Sequence, residues 1–464
     1  MNGVEGAEYA LRTAEKLGVE YAEAYAESAY GRSFAISQGI VEGSAYSEET
    51  GLRVRLLKKG SLCTFSTNKL EKENLKWIIS RFRVLPGVKT RLSSEKQVNA
   101  DCKIREKKRI DEADMLKDLI RIDKELSKVK SIKYRSMFGT LGRSKTYFVN
   151  SEGSTVRGDT PYVFSAFDMT VSNGKESRQS LAQLGTTGGY EHFEAGKIAE
   201  DLLKTSKSLY AVLEKGVTLS EDKLRSIKKI VIAPEISGIA AHESIGHPCE
   251  ADRIFGREAA QAGTSYLNGD NLGLEIGSEA VNVIDDPTLK GTNGFYLYDE
   301  EGVKARPRVL VEKGVQKELL LNREYANVLG KKSNGSARSN SYANEPMLRM
   351  ANTYLKPGRA TLEELLSEAR DGLYVKKFSS TEWNIDDTRS FERYAGNEVY
   401  VIKNGSLEEP VKNYKIETST LDFWHAVKLV GNDLGLYTAN CGKGEPMQGV
   451  PVTCGGASAF LEFR

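Results

Sequence analysis

Neither sign of charge dominates this sequence of 464 residues, which has 66 lysines and arginines against 64 aspartates and glutamates. A net charge of +2 gives no strong field for a polyanion, so nucleic acid is not an expected partner. No run approaches the ~18 apolar residues of a membrane span. The first residues also lack the basic and apolar segments of an export signal. We therefore expect a cytoplasmic protein that binds neither nucleic acid nor a membrane.

Cysteine is also scarce. The chain has five cysteines, an odd number at wide spacings: Cys63, Cys102, Cys249, Cys441 and Cys454. This pattern does not form a disulfide framework and suits a reducing compartment. Each thiol is therefore free to bind a metal or to pack as a small apolar side chain.

The apolar and charged fractions, 39% and 28%, are those of an ordinary globular protein. Helical periodicity alternates with period-two strand patterns along residues 1–220. We therefore expect an α+β fold whose N-terminal α/β region contains two similar helix-plus-antiparallel-sheet units, joined by a polar linker at residues 86–108. Gly31-Arg32-Ser33 and Gly142-Arg143-Ser144 repeat in these units. The alternative is that two common tripeptides coincide.

Residues 221–464 are predicted to form a C-terminal region rich in antiparallel strands. Ile230 to Ile232 resemble a short buried strand, and Pro234 suits the first position of a helix that runs to His247. Two hairpin turns and one helix start support the assignment: Lys313-Gly314, Asn404-Gly405, and the Thr361 to Glu364 capping box.

Two of the four histidines lie in the segment His242-Glu243-Ser244-Ile245-Gly246-His247, inside the predicted helix. Residues five apart on an α-helix point about 140° away from each other. The two imidazoles meet only if the helix widens by one residue, as in a π-helical turn. Gly246 is the least constrained residue and lies where this widening is needed. The spacing therefore predicts a metal site on a distorted helix.

Glu243 follows the first histidine and is placed to act as the general base that takes a proton from a metal-activated water. A catalytic zinc takes three protein ligands and keeps one position open. The candidates for the third ligand are Cys249, Glu250, Asp252, His425, Cys441 and Cys454. The alternative is that the histidines are surface residues, or neutral core residues bonded to carbonyls.

The segment HESIGHPCEAD resembles the HExxxH signature of the TldD/PmbA metalloprotease family, in its TldD-like branch. The resemblance extends to DEEGVKARPRVLVEKG, NGSARSNSYANEPMLRMANTYLKPG and NCGKGEPMQGVPV. It implies a Zn²⁺ ion held by His242, His247 and a C-terminal cysteine, with Glu243 as the base. Cys441 matches that cysteine, although this block is longer than the family pattern CGKxGQxVPV. The roles of Cys249 and Cys454 stay open.

The resemblance implies a zinc metallopeptidase that hydrolyses short or unfolded peptides, in a two-fold dimer with a PmbA-like subunit or with a second copy. The alternatives are a regulatory or scaffold subunit and a modulator of DNA gyrase. The PmbA-like branch lacks the HExxxH residues, so their presence favours catalysis, and the balanced charge argues against direct DNA binding. Arg338, Arg349 and Asn352 are candidates for binding a peptide's carbonyls or carboxylate. Alternatively, they tie loops together.

Overall fold

The structure is a computed structural model that describes residues 1–108, 112–261, 263–269 and 272–464. The helices are α1 (Gly3–Glu15), α2 (Lys72–Ser80), α3 (Glu112–Ser127), α4 (Ala195–Lys215), α5 (Glu221–Ser226), α6 (Pro234–Ala241), α7 (Ala251–Ile254), α8 (Arg323–Val328), α9 (Leu362–Ala369) and α10 (Thr420–Ala426). A π-helical turn spans His242–Gly246, and 3₁₀ turns span Tyr190–His192 and His247–Cys249. The strands are β1 (Tyr21–Ser37), β2 (Ile40–Lys58), β3 (Ser61–Thr67), β4 (Asn99–Lys103), β5 (Ile132–Asn150), β6 (Thr155–Ser172), β7 (Ser177–Thr186), β8 (Lys229–Ile232), β9 (Val283–Asp285), β10 (Arg308–Glu312), β11 (Val315–Gln316), β12 (Ala337–Arg338), β13 (Met347–Leu348), β14 (Asn352–Leu355), β15 (Gly372–Ile385), β16 (Phe391–Lys403), β17 (Ser406–Pro410), β18 (Lys415–Ser419), β19 (Val427–Val430), β20 (Gly435–Lys443), β21 (Gln448–Gly456) and β22 (Ala459–Glu462).

The N-terminal strands form one sheet in the order β3-β2-β1-β5-β6-β4, with β7 paired to β6. The two predicted helix-plus-strand units therefore share a single sheet. They meet where β1 and β5 run antiparallel and Gly31 lies opposite Gly142. A Cβ atom at Gly142 would lie 2.4 Å from the Tyr162 hydroxyl, so a side chain at this position would clash. Duplication of the units stays a prediction.

Helix α1 packs on this sheet because its apolar residues repeat at helical spacing. It starts at an Asn2 cap, whose side chain accepts from the backbone of Glu5 while the Glu5 side chain bonds the Asn2 backbone. Its alanines are fully buried and bring the helix close to Leu52 and Val54 of β2. Burial of each such leucine or valine stabilises the fold by about 1.5–3 kcal/mol. Helices α3 and α4 cover another part of the same sheet.

Two further sheets build most of the C-terminal region, in the orders β11-β10-β9-β14-β21-β20 and β17-β16-β15-β8-β22-β19, with β18 paired to β16, while β12 pairs with β13. Most pairs are antiparallel, and the predicted α+β class is confirmed. Helix α6 lies against β21, where a Cβ atom on Gly238 would come within 2.9 Å of the Gly455 backbone. The Ser237 hydroxyl donates to the Ala457 carbonyl at 2.7 Å. Helix α6 is thereby fixed beside β20, the edge strand of its sheet.

Buried ion pairs join the N-terminal sheet to the C-terminal region. Arg53 pairs with Glu300 at 2.8 Å, and Arg55 pairs with both Glu23 and Glu301 at 2.9 Å. Both arginine side chains are only 1% exposed. Removal of one partner of a buried pair costs about 3–5 kcal/mol, because the other charge is left uncompensated. A domain boundary near residue 220 stays a prediction.

Local predictions succeeded where turn chemistry was explicit. Positive φ values at Lys313-Gly314 and Asn404-Gly405 confirm both hairpin turns. The predicted linker at residues 86–108 was wrong in part, because residues 99–103 form β4, which pairs in parallel with β6. This edge strand is mostly polar and exposed, so its sequence carries no apolar alternation. No helix in the described ranges has the length and apolarity to cross a membrane.

Candidate metal centre

Helix α6 leads directly into the π-helical turn His242–Gly246. The backbone N–H of His247 donates to the carbonyl of His242, five residues earlier. A Cβ atom at Gly246 would lie 2.0 Å from the Met350 sulfur, so a larger residue where the helix widens would force Met350 to move. The predicted π-turn is confirmed. Both histidines are 4% exposed, and their rings lie 4.9 Å apart.

Cys441 lies on β20, close to the two histidines. It pairs with Val450 of β21, and α6 packs against both strands. Its sulfur lies 3.6 Å from Nε2 of His247. One ligand atom from each of His242, His247 and Cys441 can be chosen so that all three lie within 4.8 Å of one another. These side chains come from a helix and a strand that are about 200 residues apart in sequence, so only the fold brings them together.

The charges of these three side chains are coupled. Burial opposes ionisation of Cys441, but the charge of His247 and the hydrogen bond with His242 outweigh it and hold the thiol pKa well below its ordinary value. For His242, burial opposes the charged form, and the neighbouring Cys454 and Cys441 outweigh it and raise the pKa. Cys441 therefore tends to be a thiolate, which is the form that binds metals.

The donor set suits zinc. Two imidazoles and one thiolate are ligand types of catalytic zinc, which takes three protein ligands and keeps one open position. Within the described residues, Nδ1 of His242 is buried and has no hydrogen-bond partner. Burial of a polar atom without a partner is costly, and a metal bound by the His242 ring would offset this cost. The residues present therefore fit a zinc ion.

Glu250 orients His247. Its Oε2 lies 3.0 Å from Nδ1 of His247 and 3.2 Å from Nζ of Lys443, and all three side chains are at most 5% exposed. Lys443 also donates to Asp252 at 2.7 Å. Burial opposes ionisation of Glu250, but Lys443 and His247 outweigh it and hold the Glu250 pKa well below 4.5. A carboxylate bonded to the far nitrogen of a ligand histidine fixes the ring.

The remaining candidates for the third ligand lie elsewhere. Cys249 is fully buried in the apolar core. Asp252 bonds Lys443, and His425 is exposed on α10. Cys454 neighbours His242 but is not part of the group that His242, His247 and Cys441 form among the described residues.

Glu243 lies next to the three ligand candidates, with a side chain that is 14% exposed. Its Oε2 is 3.9 Å from Nε2 of His247 and 2.5 Å from Nη1 of Arg389. Burial raises the Glu243 pKa, but the charges of His247, His242 and Arg389 together lower it below 4.5. Glu243 is therefore a carboxylate that can accept a proton.

The three residues considered for substrate binding have partners within the protein. Arg349 is fully buried and donates to the carbonyls of Gln448, at 2.9 Å, and Cys441. Arg338 donates to the carbonyls of Met350 and Pro451. Asn352 donates to the Asp286 carbonyl at 2.6 Å and accepts from the Gly294 N–H. Arg349 thereby holds the backbone of Cys441, and a substrate role for the three stays a prediction.

Two further contacts at the site carry no sequence signal. The indole N–H of Trp424 donates to the Ser244 hydroxyl at 3.0 Å, which braces the π-turn. Arg389 contacts Glu243 from a loop between β15 and β16, 146 residues away in sequence. Neither residue stands in a recognisable motif, so only the folded arrangement reveals them.

Family models match three parts of the chain. Residues 226–458 match the PmbA/TldA metallopeptidase C-terminal domain, residues 22–81 match domain 1, and residues 105–210 match the central domain. The chain belongs to the PmbA/TldD family of metallopeptidases, as the HESIGHPCEAD resemblance predicted.

Similar proteins carry names that agree with this family. A metalloprotease of Methanothermobacter thermautotrophicus is 36% identical over 68% of this chain and 65% of its own length. A zinc metalloprotease TldD homolog of Saccharolobus solfataricus is 34% identical over 49% of this chain and 48% of its own length. A solved Thermotoga maritima protein, described provisionally as a modulator of a DNA gyrase, has a TM-score of 0.78 over 99% of this chain and 98% of its own. Its 18% identity shows the shared fold alone.

Proposed function

We propose that this chain is a zinc-dependent peptidase that hydrolyses short or unfolded peptides. The observation that carries the proposal is the convergence of His242, His247 and Cys441, with the Glu243 carboxylate 3.9 Å from one ligand candidate. Two imidazoles and a thiolate are a zinc donor set, and a carboxylate beside them is the usual base of such a site. The name of the Saccharolobus solfataricus relative supports zinc as the metal.

His242, His247 and Cys441 would hold the metal. Zinc, when bound, is a Lewis acid that polarises a peptide carbonyl and lowers the pKa of water to about 7. Glu250 holds the His247 ring through Nδ1, and Arg349 holds the Cys441 backbone through its carbonyl. The ligands are thus fixed by buried partners before any substrate arrives, which keeps the site preorganised.

Glu243 supplies the proton transfers. As a carboxylate, it accepts a proton from the attacking water while the water oxygen adds to the carbonyl carbon. When the C–N bond breaks, Glu243 returns this proton to the leaving nitrogen, so the base is regenerated. Its side chain is 14% exposed, so the carboxylate is not sealed off from a substrate.

The edge of β20 that faces away from β21 supports binding of an extended peptide at Asn440 and Gly442, which are exposed, whereas Thr438 beside them contacts Gly185 of β7. The N–H of Thr453 in β21 bonds the Ala351 carbonyl beside β14, so Val450 and Val452 bond β20. By register, Thr438, Asn440 and Gly442 then direct their backbone groups away from β21. No backbone hydrogen bond within the described ranges satisfies these groups. A peptide that adds to this edge passes directly beside Cys441, through contacts largely indifferent to its side chains.

The proposal is tested by zinc analysis together with a substrate comparison. We expect one zinc per chain, and we expect Glu243→Gln to keep it while hydrolysis falls by about 10²-fold or more. The substrates are one stable domain, the same domain unfolded by mutation, and a mixed peptide library. We expect cleavage of the unfolded domain and the peptides only. Absence of zinc after purification without chelator and after reconstitution would contradict the proposal, and so would equal cleavage of both domains.

The expected partner subunit and the expected location remain predictions. A PmbA-like second subunit or a homodimer is expected, in the cytoplasm. If the zinc-loaded chain cleaves nothing until a PmbA-like subunit is added, the active form is a hetero-oligomer.

A further inference from the structure

Arg389 is held in an unusual backbone conformation beside Glu243. Its φ is +62°, in the left-handed region that non-glycine residues rarely adopt. Such strained residues persist only when the surrounding structure fixes them, and they cluster at functional sites. The Arg389 side chain is 13% exposed, and its Nη1 lies 2.5 Å from Oε2 of Glu243. The strain therefore coincides with a contact to the proposed base.

The loop that carries Arg389 is built around one carboxylate. Asp386 accepts from the backbone N–H groups of Ser390, at 2.6 Å, and Phe391, at 3.0 Å. It also accepts from the hydroxyls of Thr388 and Ser390. The Arg389 carbonyl accepts from Thr420 of α10 at 2.7 Å. These bonds do not involve the Arg389 guanidinium, so the conformation of the loop does not depend on the contact with Glu243.

The guanidinium has donors to spare. One Nη atom bonds Glu243, whereas Nε is buried and has no hydrogen-bond partner among the described residues. Guanidinium offers five N–H donors in a planar fork and cannot lose its charge at neutral pH. Glu243 in turn lies 3.9 Å from Nε2 of His247. The Glu243 carboxylate therefore lies between the permanent positive charge of Arg389, which has unused donors, and the group formed by His242, His247 and Cys441.

We infer that Arg389 is a catalytic residue that stabilises the developing oxyanion of the scissile peptide bond, an inference that rests on the proposed function. When water adds to the carbonyl carbon, the π electron pair of the C=O bond moves to oxygen while Glu243 takes the water proton. Arg389 donates hydrogen bonds to that oxygen and transfers no proton. When the pair returns and the C–N bond breaks, the negative charge is discharged. Donors aimed at such developing charge speed acyl transfer more than they strengthen substrate binding.

The test compares Arg389→Ala with Arg389→Lys and a matched control, Arg393→Ala. Arg393 lies four residues further along, is half exposed and pairs with Glu417, away from Glu243. For each variant we would measure zinc content, thermal unfolding, and kcat and KM on one defined peptide. We expect Arg389→Ala to keep its zinc and lose about 10²–10³-fold in kcat, with a smaller change in KM. Lysine restores the charge but not the planar fork, so it should recover only part of the loss.

Two readouts separate a catalytic role from a structural one. Added guanidinium ion should partly restore kcat in Arg389→Ala but not in Glu243→Gln. Affinity for a peptide phosphonate, measured by calorimetry, should fall in Arg389→Ala by about the same factor as kcat/KM, because the phosphonate carries the tetrahedral negative charge.

Three outcomes would overturn the inference. One is Arg389→Ala with wild-type kcat, and another is a loss of activity that matches its loss of zinc. The third is a zinc-loaded wild type that hydrolyses no peptide, either alone or with a PmbA-like subunit, which overturns the proposed function as well.

Discussion

Glu250 and His247 form a buried hydrogen bond of 3.0 Å between Oε2 and Nδ1. This bond fixes the imidazole so that its other nitrogen, Nε2, faces Cys441. Because Glu250 lies three residues after His247, one short segment contains both the ligand candidate and the residue that orients it. Lys443, two residues after Cys441, then links the two ligand-bearing segments through the same carboxylate.

The first prediction concerns this orienting carboxylate. Glu250→Gln should weaken zinc binding by about 10–100-fold, because the His247 ring loses its charged partner. Competition against a chelator of known affinity measures the effect. Glu176→Gln is the matched control, since Glu176 also pairs with a lysine but lies on the exposed surface of the N-terminal region. Equal zinc affinity in Glu250→Gln and the wild type would show that the bond is not needed to orient the ring.

The second prediction ranks the buried thiols. Cys441→Ala should lose the zinc, because a ligand contributes directly to the site. Cys249→Ala and Cys454→Ala should retain it, since Cys249 packs in the core and Cys454 only neighbours His242. Elemental analysis of the three purified variants decides the question. Release of the metal by Cys249→Ala alone would mean that the ligand set is local to the histidine segment.

The third prediction concerns the π-turn. Gly246→Ala places a methyl group 2.0 Å from the Met350 sulfur, so we expect destabilisation by about 1–3 kcal/mol from overpacking. Combination with Met350→Ala should cost less than the sum of the two single changes, because the clash disappears. Urea unfolding gives all the free energies. Gly43→Ala, which meets no atom within 4 Å, is the control. Additive effects would place the methyl group away from Met350.

The fourth prediction concerns pH and Glu392, a fully buried carboxyl that accepts from the Tyr394 hydroxyl. Burial, with a smaller contribution from Glu243, raises its pKa from 4.5 to about 8. Between these values the folded chain holds a proton that the unfolded chain releases. The contribution of Glu392 to the unfolding free energy is therefore fully present below 4.5 and is lost as the pH rises towards 8, by at most about 1.4 kcal/mol per pH unit.

Glu392→Gln removes the titrating group and should flatten this part of the stability profile. Urea unfolding of both proteins at several pH values in that window measures the difference. Asp201→Asn, a change at an exposed carboxylate on α4, should leave the profile as in the wild type. Parallel profiles for Glu392→Gln and the wild type would show that Glu392 is ionised in the folded protein.

The sequence predicted the features that depend on local geometry. The five-residue spacing of His242 and His247, with Gly246 between them, required a π-turn, and the structure has one. Turn residues and the Thr361 cap predicted their elements because their backbone conformations follow from local chemistry. The family resemblance, confirmed by the match over residues 226–458, singled out Cys441 among the six candidates for the third ligand. The structure then places it beside both histidines.

The sequence did not predict contacts that depend on the folded arrangement of the chain. Glu250 was considered as a ligand, and only the fold shows it bonded to the far nitrogen of His247. The Arg389 contact with Glu243 joins positions 146 residues apart. β4 escaped prediction because a polar edge strand has no apolar face. The partners of Arg389 and of β4 are distant in sequence, whereas Glu250 lies three residues from His247 and only the folded backbone shows which atom it contacts. A single sequence carries no information of either kind.

The π-turn also determines how this site relates to the shorter, common zinc motif. A π-turn is equivalent to an α-helix with one inserted residue, so deletion of Ile245 would bring the two histidines to the four-residue spacing of the common zinc motif. Both imidazoles would still share a helix face. The wide turn absorbs one residue, so the segment after the deletion would keep roughly its present orientation relative to α6. Glu250, three residues after His247, would stay within reach of the His247 ring. The four-residue and the five-residue motifs are thus two ways in which one helix can present two imidazoles from the same face.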